Sequence, residues 1–194
     1  MTKILITGTP ATGKTTFALK LSLFFYFNYF NINTLAYYLN AFEYYDKKRD
    51  SKVVNLSKLK SLIKKLINSD LSIIFDSHIL DCFPSNIDYV IILRCEPLEL
   101  ARRLKLKNYP ESKIKENVEA EFLGILSYES HLKFKKSKII ELDNTNRRKI
   151  PLNLILLIKG ELKSKKYKRI EWQDIYEAKN RLLDFINFQL SNSK

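Results

Sequence analysis

An apolar run, Lys3-Ile4-Leu5-Ile6-Thr7, leads directly into Gly8-Thr9-Pro10-Ala11-Thr12-Gly13-Lys14-Thr15-Thr16. No other stretch restricts the fold as strongly. The chain has only four glycines, and two of them stand here, five residues apart, with a lysine after the second. Glycine reaches backbone conformations closed to other residues and lets a neighbouring group approach the main chain. The pattern matches GxxxxGK[ST], a phosphate-binding loop that must follow a strand and open a helix. Both flanks are present. Lys3 to Thr7 reads as a short buried strand, and Thr15 to Leu21 as the start of a helix.

The spacing has a chemical reason. Successive N–H groups in a concave loop at a helix N-terminus hold phosphate oxygens without a counter-charge at each one. Gly8, Ala11 and Gly13 supply this backbone. Lys14 adds a mobile positive charge at the β- and γ-phosphates, and the Thr15 hydroxyl is placed to ligate Mg²⁺. Thr16 reaches the α-phosphate side. Ala11 needs only its N–H for this work. The competing reading is an ordinary strand-to-helix turn, and the full spacing with both flanks argues against it.

The remaining pattern alternates in the same way. Leu71 to Phe75, ending at Asp76, reads as a strand, as does Tyr89 to Leu93, ending at Arg94. Lys138 to Leu142 is a last strand, turning at Asp143-Asn144. Helical spacing covers Leu59 to Ile67, Pro97 to Leu104, Ser112 to about His131 and Pro151 to Ile158. Asn40 to Ser57 is polar. Apolar strands separated by helices predict an α/β fold, a parallel sheet with helices on both faces, which binds ligands at the carboxyl ends of its strands. The apolar, aromatic stretch from 21 to 39 is interrupted by Asn28, Asn31 and Asn33. It predicts a buried helix and a strand-like segment rather than a membrane span. After Glu161 a basic run precedes an amphipathic pattern from Ile175 to Leu190. This extension either packs on the domain through Ile175, Leu182, Leu183 and Ile186 or serves as an arm for RNA or a ribosomal surface.

A net charge of +13 favours phosphates, nucleic acid or an acidic partner, although a lysine-rich solvated surface accounts for part of it. Two cysteines, Cys82 and Cys95, and two histidines, His78 and His131, show no zinc-ligand spacing. No signal peptide is visible before the first strand, and a reducing, cytoplasmic location is expected.

Other residues can complete a phosphate site. An apolar strand ending in Asp downstream of a phosphate-binding loop is the Walker B pattern, and Asp76 would orient Mg²⁺. His78, in a loop two residues on, could position a water or a substrate oxygen. Phosphoryl transfer also needs positive charge on the moving group. Arg102 and Arg103, on a helix leading into a proline-marked loop, and Arg94, at a strand end, are the candidates. The loop from Leu106 to about Glu116, with Lys107, Lys113 and Lys115, could close as a lid.

Together these pieces resemble the atypical adenylate kinases of the isoenzyme-six type, also called coilin-interacting nuclear ATPase. The matching segments are GTPATGKTT at 8–16, IIFDSH at 73–78, DCFP at 81–84, LR at 93–94, ARRL at 101–104, NY at 108–109 and ENVEAE at 116–121. They run in family order across about residues 1 to 158. The resemblance implies a P-loop nucleoside monophosphate kinase domain over residues 1–159. Its monophosphate region would be about 31–54 and its lid about 106–116; residues 160–194, a basic helical extension, have no counterpart in the family pattern. It implies phosphoryl transfer from ATP to AMP with broad nucleotide tolerance, Mg²⁺ dependence and ATPase activity. It also implies a role in small ribosomal subunit maturation, with a platform ribosomal protein of the S-eleven type and possibly rRNA as partners, and no membrane. Carried over by position, Gly8, Ala11, Gly13, Lys14, Thr15, Thr16, Arg103 and Lys107 bind ATP. Lys14, Asp76, His78 and Arg103 are catalytic, and Thr15 and Asp76 hold the metal.

The chain departs from the family in one segment. Asn33-Thr34-Leu35-Ala36-Tyr37 stands where the family has Gly-Asp-Leu-Ala-Arg, so Tyr37 replaces an arginine that would grip a monophosphate bidentately. Lys107 replaces a lid arginine, keeping charge without the fork. Two readings follow: a broad nucleoside monophosphate kinase, or an assembly ATPase with little kinase activity. A kinase of another small substrate is a third, which the DSH and NVEAE segments disfavour.

Overall fold

A computed structural model describes residues 1–46, 51–146, 149–162 and 167–191. Its first elements are β1 (Lys3–Thr7), α1 (Lys14–Phe25), β2 (Asn28–Asn31), α2 (Ile32–Tyr38), β3 (Phe42–Asp46), β4 (Ser51–Val54), α3 (Leu56–Ile67) and β5 (Ile73–Asp76). Then come β6 (Tyr89–Arg94), α4 (Pro97–Leu106), α5 (Glu111–Phe122), α6 (Ile125–Lys133), β7 (Lys138–Asp143), α7 (Leu152–Lys159), α8 (Trp172–Ala178) and α9 (Leu182–Ser191).

Five strands form one sheet in the order β2-β5-β1-β6-β7. β5 pairs in parallel with β1 on one side and β2 on the other. The register sets Asp76 opposite Ile6 of β1 and Asn31 of β2, all at carboxyl ends. Buried β-branched and aliphatic residues explain the sheet: every residue of β1, β5 and β6 is buried. Such strands have no polar face to offer water, as expected of a parallel sheet.

The chain divides into two compact units. The first holds Met1–Thr7, Lys14–Ile91 and Ser130–Ile140. In it, Leu59, Ile63 and Ile67 recur every four residues on α3 and are buried, while Asn55 caps the helix by accepting from the Lys58 N–H at 3.2 Å. The second unit holds Gly8–Gly13, Ile92–Glu129 and Glu141–Lys194. Its core gathers Leu100 and Leu104 of α4, Val118 and Phe122 of α5, and Trp172, Tyr176 and Phe185 of α8 and α9.

Several elements differ from the sequence reading. The polar region after Asn40 contains an antiparallel hairpin, β3–β4, with a register shift between Phe42 and Tyr44; its 47–50 connection lies outside the described residues. The single helix expected from Ser112 to His131 is two, because the chain turns at Gly124 (φ 65°). Of the expected lid, only 107–110 is loop, and from Glu111 the chain is helical. The helix expected from Ile175 to Leu190 also breaks, at Asn180 (φ 53°). That break shifts the helical phase. Trp172, Tyr176 and Phe185 become the buried residues, whereas Leu183 and Ile186 face solvent. The described part of the extension therefore packs: of the side chains that periodicity suggested, Ile175 is partly buried against this core, whereas Leu182, Leu183 and Ile186 are exposed. Lys163 to Lys166 of the basic run, and 192–194, lie outside the described residues.

Candidate nucleotide site

In the first unit, Lys14 opens α1 and places Thr15 beside the end of β5. The Thr15 hydroxyl donates to Asp76 Oδ2 at 2.6 Å. The same oxygen accepts from Asn31 Nδ2 at 2.8 Å and from the Tyr29 hydroxyl at 3.1 Å. Asp76 is 2% exposed, so its charge is held by three donors rather than by water. Burial, then the charge of Asp76, raise the Tyr29 pKa, which keeps the phenol a donor. Asn31 works twice, since its Oδ1 accepts from the Thr34 N–H at 3.1 Å and caps α2.

His78 follows in the loop after β5. Crowding around the ring and then the charge of Lys14 push its pKa down to about 4, against an opposing pull from Asp76. The residue keeps an exposed surface, and water there softens the desolvation. The direction is the same from both leading causes, and the imidazole is neutral at pH 7. A neutral ring can accept a proton or orient a water beside Lys14 and Asp76.

The body of the loop belongs to the second unit. A side chain at Gly8 (φ 148°) would stand 2.4 Å from the Leu93 carbonyl oxygen, and one at Gly13 (φ 97°) would stand 2.6 Å from Asn144 Nδ2. These close approaches explain both glycines. Ala11 holds φ 67°, a left-handed conformation that costs a residue with a Cβ roughly 1–2 kcal/mol. Inside the loop, the Thr9 carbonyl accepts from the Thr12 hydroxyl at 2.9 Å, and the Thr12 carbonyl accepts from Asn144 Nδ2 at 2.7 Å. The Thr9 hydroxyl donates to Glu121 Oε2 at 2.6 Å.

Glu121 belongs to a buried charge cluster. Arg94, 2% exposed, donates Nε to Glu121 Oε1 at 2.7 Å and Nη1 to Glu141 Oε2 at 3.0 Å. It also donates to the Ile170 and Glu121 carbonyls, each at 2.8 Å. Arg94 is therefore not the cation for a transferring phosphoryl group, one of the roles considered for it. Its donors are committed to carboxylates and carbonyls inside the fold. Arg102 lies on the surface and pairs with Glu99, as a basic helix face would. Arg103 is half-buried, pairs with Glu99 at 2.9 Å and donates to the carbonyls of Asn144 and Thr145. Lys107 is exposed at the C-terminus of α4. A cavity of about 630 Å³ opens in this unit, lined by Glu99, Asp143, Thr145, Trp172, Lys179 and Arg181 among others.

Within the first unit, then, Lys14, Thr15, Asp76 and His78 come together. Arg103 and Lys107 belong to the second unit with Gly8, Ala11 and Gly13. Thr16 is exposed on the first turn of α1. Tyr29, Asn31, Glu121 and Asn144 were not singled out from the sequence. Asn31 carried a signal, a cap residue closing a strand, whereas Glu121 lay within a quoted motif with no role attached. Among the described residues no three of His, Cys, Asp and Glu cluster as a metal cage. A hydroxyl plus one carboxylate is what Mg²⁺ takes when phosphates supply other ligands, so Thr15 and Asp76 fit that ion. Burial pushes the Cys82 and Cys95 thiols up to about 12, so neither is a nucleophile at neutral pH. Among the described residues no helix is long and apolar enough to cross a membrane.

The chain is similar to several known proteins. The model of a family described as "AAA domain" matches residues 4–124. The adenylate kinase isoenzyme 6 homologue FAP7 of Saccharomyces cerevisiae is 34% identical over 161 residues, 81% of each chain. A relative from Methanocaldococcus jannaschii, also carrying an adenylate kinase name, is 32% identical over 176 residues. That alignment spans 90% of this chain and 94% of the relative. It reaches past residue 158, so part of the extension has a counterpart after all. Among solved structures, the YorR protein of Bacillus subtilis in complex with phosphorylated GDP is 17% identical with a TM-score of 0.52, covering 84% of this chain and 99% of that one. It supports the fold alone. The P-loop kinase fold, the loop sequence and these relatives lead to one assignment: the chain belongs to the adenylate kinase isoenzyme 6-like family of P-loop kinases, within the family described as AAA domain.

Proposed function

We propose that the protein is a broad nucleoside monophosphate kinase that moves the γ-phosphoryl group of ATP to AMP or a similar acceptor, and hydrolyses ATP slowly without one. The observation that carries this reading is the 2.6 Å bond between Thr15 and Asp76, one residue from Lys14 and with neutral His78 nearby. Lys14 would neutralise phosphate oxygens at the β/γ end, where charge builds up during transfer. Mg²⁺ held by Thr15 and Asp76 would supply further charge neutralisation between phosphates. Tyr29 and Asn31 keep Asp76 oriented. Arg103 could turn from the Asn144 and Thr145 carbonyls toward a nucleotide, and Lys107 could add charge from the lid. His78 would hold the attacking hydroxyl or water and take up its proton as the neutral base.

A second reading has its own support. Thr34 is engaged in the α2 cap, and Tyr37 is exposed with its ring against Phe42, so neither offers the forked charge expected for a monophosphate. In that reading the cycle serves assembly of the small ribosomal subunit, with a platform ribosomal protein of the S-eleven type and rRNA as partners. The +13 net charge suits such a partner. The test measures ADP formation from ATP across a range of AMP concentrations. AMP-dependent formation of two ADP per ATP supports the kinase. Slow, AMP-indifferent hydrolysis, raised by the ribosomal partner, supports the assembly ATPase.

A further inference from the structure

A buried carboxylate joins the C-terminal segment to the phosphate-binding loop by hydrogen bonds, beside the packing of Ala11 on the core that holds Trp172. Glu121 is 1% exposed, and both its oxygens are occupied. Oε2 accepts from the Thr9 hydroxyl of the loop at 2.6 Å. Oε1 accepts from Arg94 Nε at 2.7 Å, the Cys95 N–H at 3.1 Å and the indole N–H of Trp172 at 3.0 Å. Thr9 in turn organises the loop, because its carbonyl binds the Thr12 side chain at 2.9 Å.

Trp172 is well placed to hold that carboxylate still. It is 4% exposed, in a core shared with α4 and α5. The helices that carry it are clamped on the same unit. Phe185 stacks on Phe122 with centroids 3.9 Å apart, Lys115 Nζ donates to the Gln189 carbonyl at 2.8 Å, and Tyr176 donates to Glu96. A packed indole has one donor in one direction. Without it, Glu121 is drawn by Arg94 and Cys95 alone, and its other oxygen loses the orientation that receives Thr9.

We propose that Trp172 is a positioning residue for the phosphate-binding loop, acting through Glu121 on Thr9, so that the C-terminal helices set nucleotide affinity. This rests on the reading that the loop binds nucleotide phosphates. Preorganised donors gain affinity because less ordering remains to be done on binding. The effect therefore falls on binding rather than on the chemical step.

Trp172 is the only tryptophan, so the wild-type protein carries its own reporter. ATP titrated into the full chain should bind by calorimetry and shift the indole emission with the same midpoint. Trp172→Phe keeps an aromatic ring, removes the N–H and leaves a small cavity in the core. It should raise the ATP Kd and KM on the order of tenfold, the scale seen when a partner that orients ligating groups is lost, with kcat little changed and Tm lowered by the cavity. Thr9→Val should weaken ATP similarly and, without nucleotide, should shift the Trp172 emission. The double variant should be no worse than either single one, since both cut one chain of contacts. ATP binding by the wild type with a silent indole, an unaltered Kd in Trp172→Phe, or additive losses in the double variant would overturn the proposal and leave the kinase reading standing. A wild type that binds no ATP overturns both. If Trp172→Phe does not fold, Thr9→Val decides the matter: unchanged emission refutes the link.

Discussion

Glu121→Gln tests the buried charge cluster directly. The two side chains are nearly the same shape, so the variant isolates charge. Its carbonyl oxygen can keep the Oε1 side, accepting from Arg94, Cys95 and Trp172, while its NH₂ turns to Thr9, whose hydroxyl can rotate to accept. Every hydrogen bond then survives in some form, and packing is unchanged. What is lost is one of the two carboxylates that balance Arg94 at 2% exposure, leaving Glu141 alone at 3.0 Å. Removing one partner from a buried ion pair costs about 3–5 kcal/mol. With Glu141 still pairing Arg94, no charge is left uncompensated, and the loss is that of a charge-assisted bond, about 1.5–3 kcal/mol. For a chain of 150–250 residues each kcal/mol is about 2–4 °C, so Tm should fall by roughly 3–12 °C. Differential scanning calorimetry at constant pH and salt measures it. A Tm within about 2 °C of wild type would refute the reasoning, because the Glu121 charge would then add nothing to the bond with Arg94.

Other outcomes follow from the site. Lys14→Ala should abolish ATP turnover while leaving Tm near wild type; full activity would remove the loop assignment. His78 has a folded pKa of about 4, below its ordinary 6.5. Between those values the unfolded chain binds more protons, so the group lowers stability as pH falls from 6.5 toward 4. His78→Asn should lessen acid sensitivity in that window, seen in Tm against pH, and should reduce turnover more than ATP binding. Ala11→Gly should relieve the left-handed strain at φ 67° and raise stability by about 1 kcal/mol, read as a higher midpoint in urea.

What could be read from the sequence was local. The loop is nine contiguous residues, and its flanking strand and helix are adjacent in the chain. Asp76 and Arg94 were visible as polar ends of apolar runs, but their roles differ because of residues far away. Asp76 is met by Asn31, 45 residues distant, and Arg94 by Glu141, 47 residues distant. No periodicity announces that Thr9 will meet Glu121 across 112 residues, or Asn144 the Thr12 carbonyl across 132. The helix breaks at Gly124 and Asn180 needed only one left-handed residue each, and apolar spacing on both sides concealed them. The hairpin from Phe42 to Val54 lay in a stretch that composition marked as polar.

The departures at Thr34 and Tyr37 bear on affinity more than on placement. Asn31 ties the start of α2 to the carboxylate at the end of β5: one end of its amide caps the helix at the Thr34 N–H, and the other donates to Asp76. A backbone N–H makes that cap, and any residue but proline at 34 supplies one. The start of the segment that would receive a monophosphate is thus tied to Asp76 by Asn31 and does not depend on the side chains at 34 and 37. Losing a forked cation weakens the grip on a phosphate without moving the acceptor away. On the proposed kinase reading a high KM for AMP is expected, and Tyr37→Arg should lower that KM while leaving the KM for ATP unchanged. If Tyr37→Arg had no effect on AMP use, the acceptor would be held elsewhere, and the segment from Ile32 to Tyr38 would not be its site.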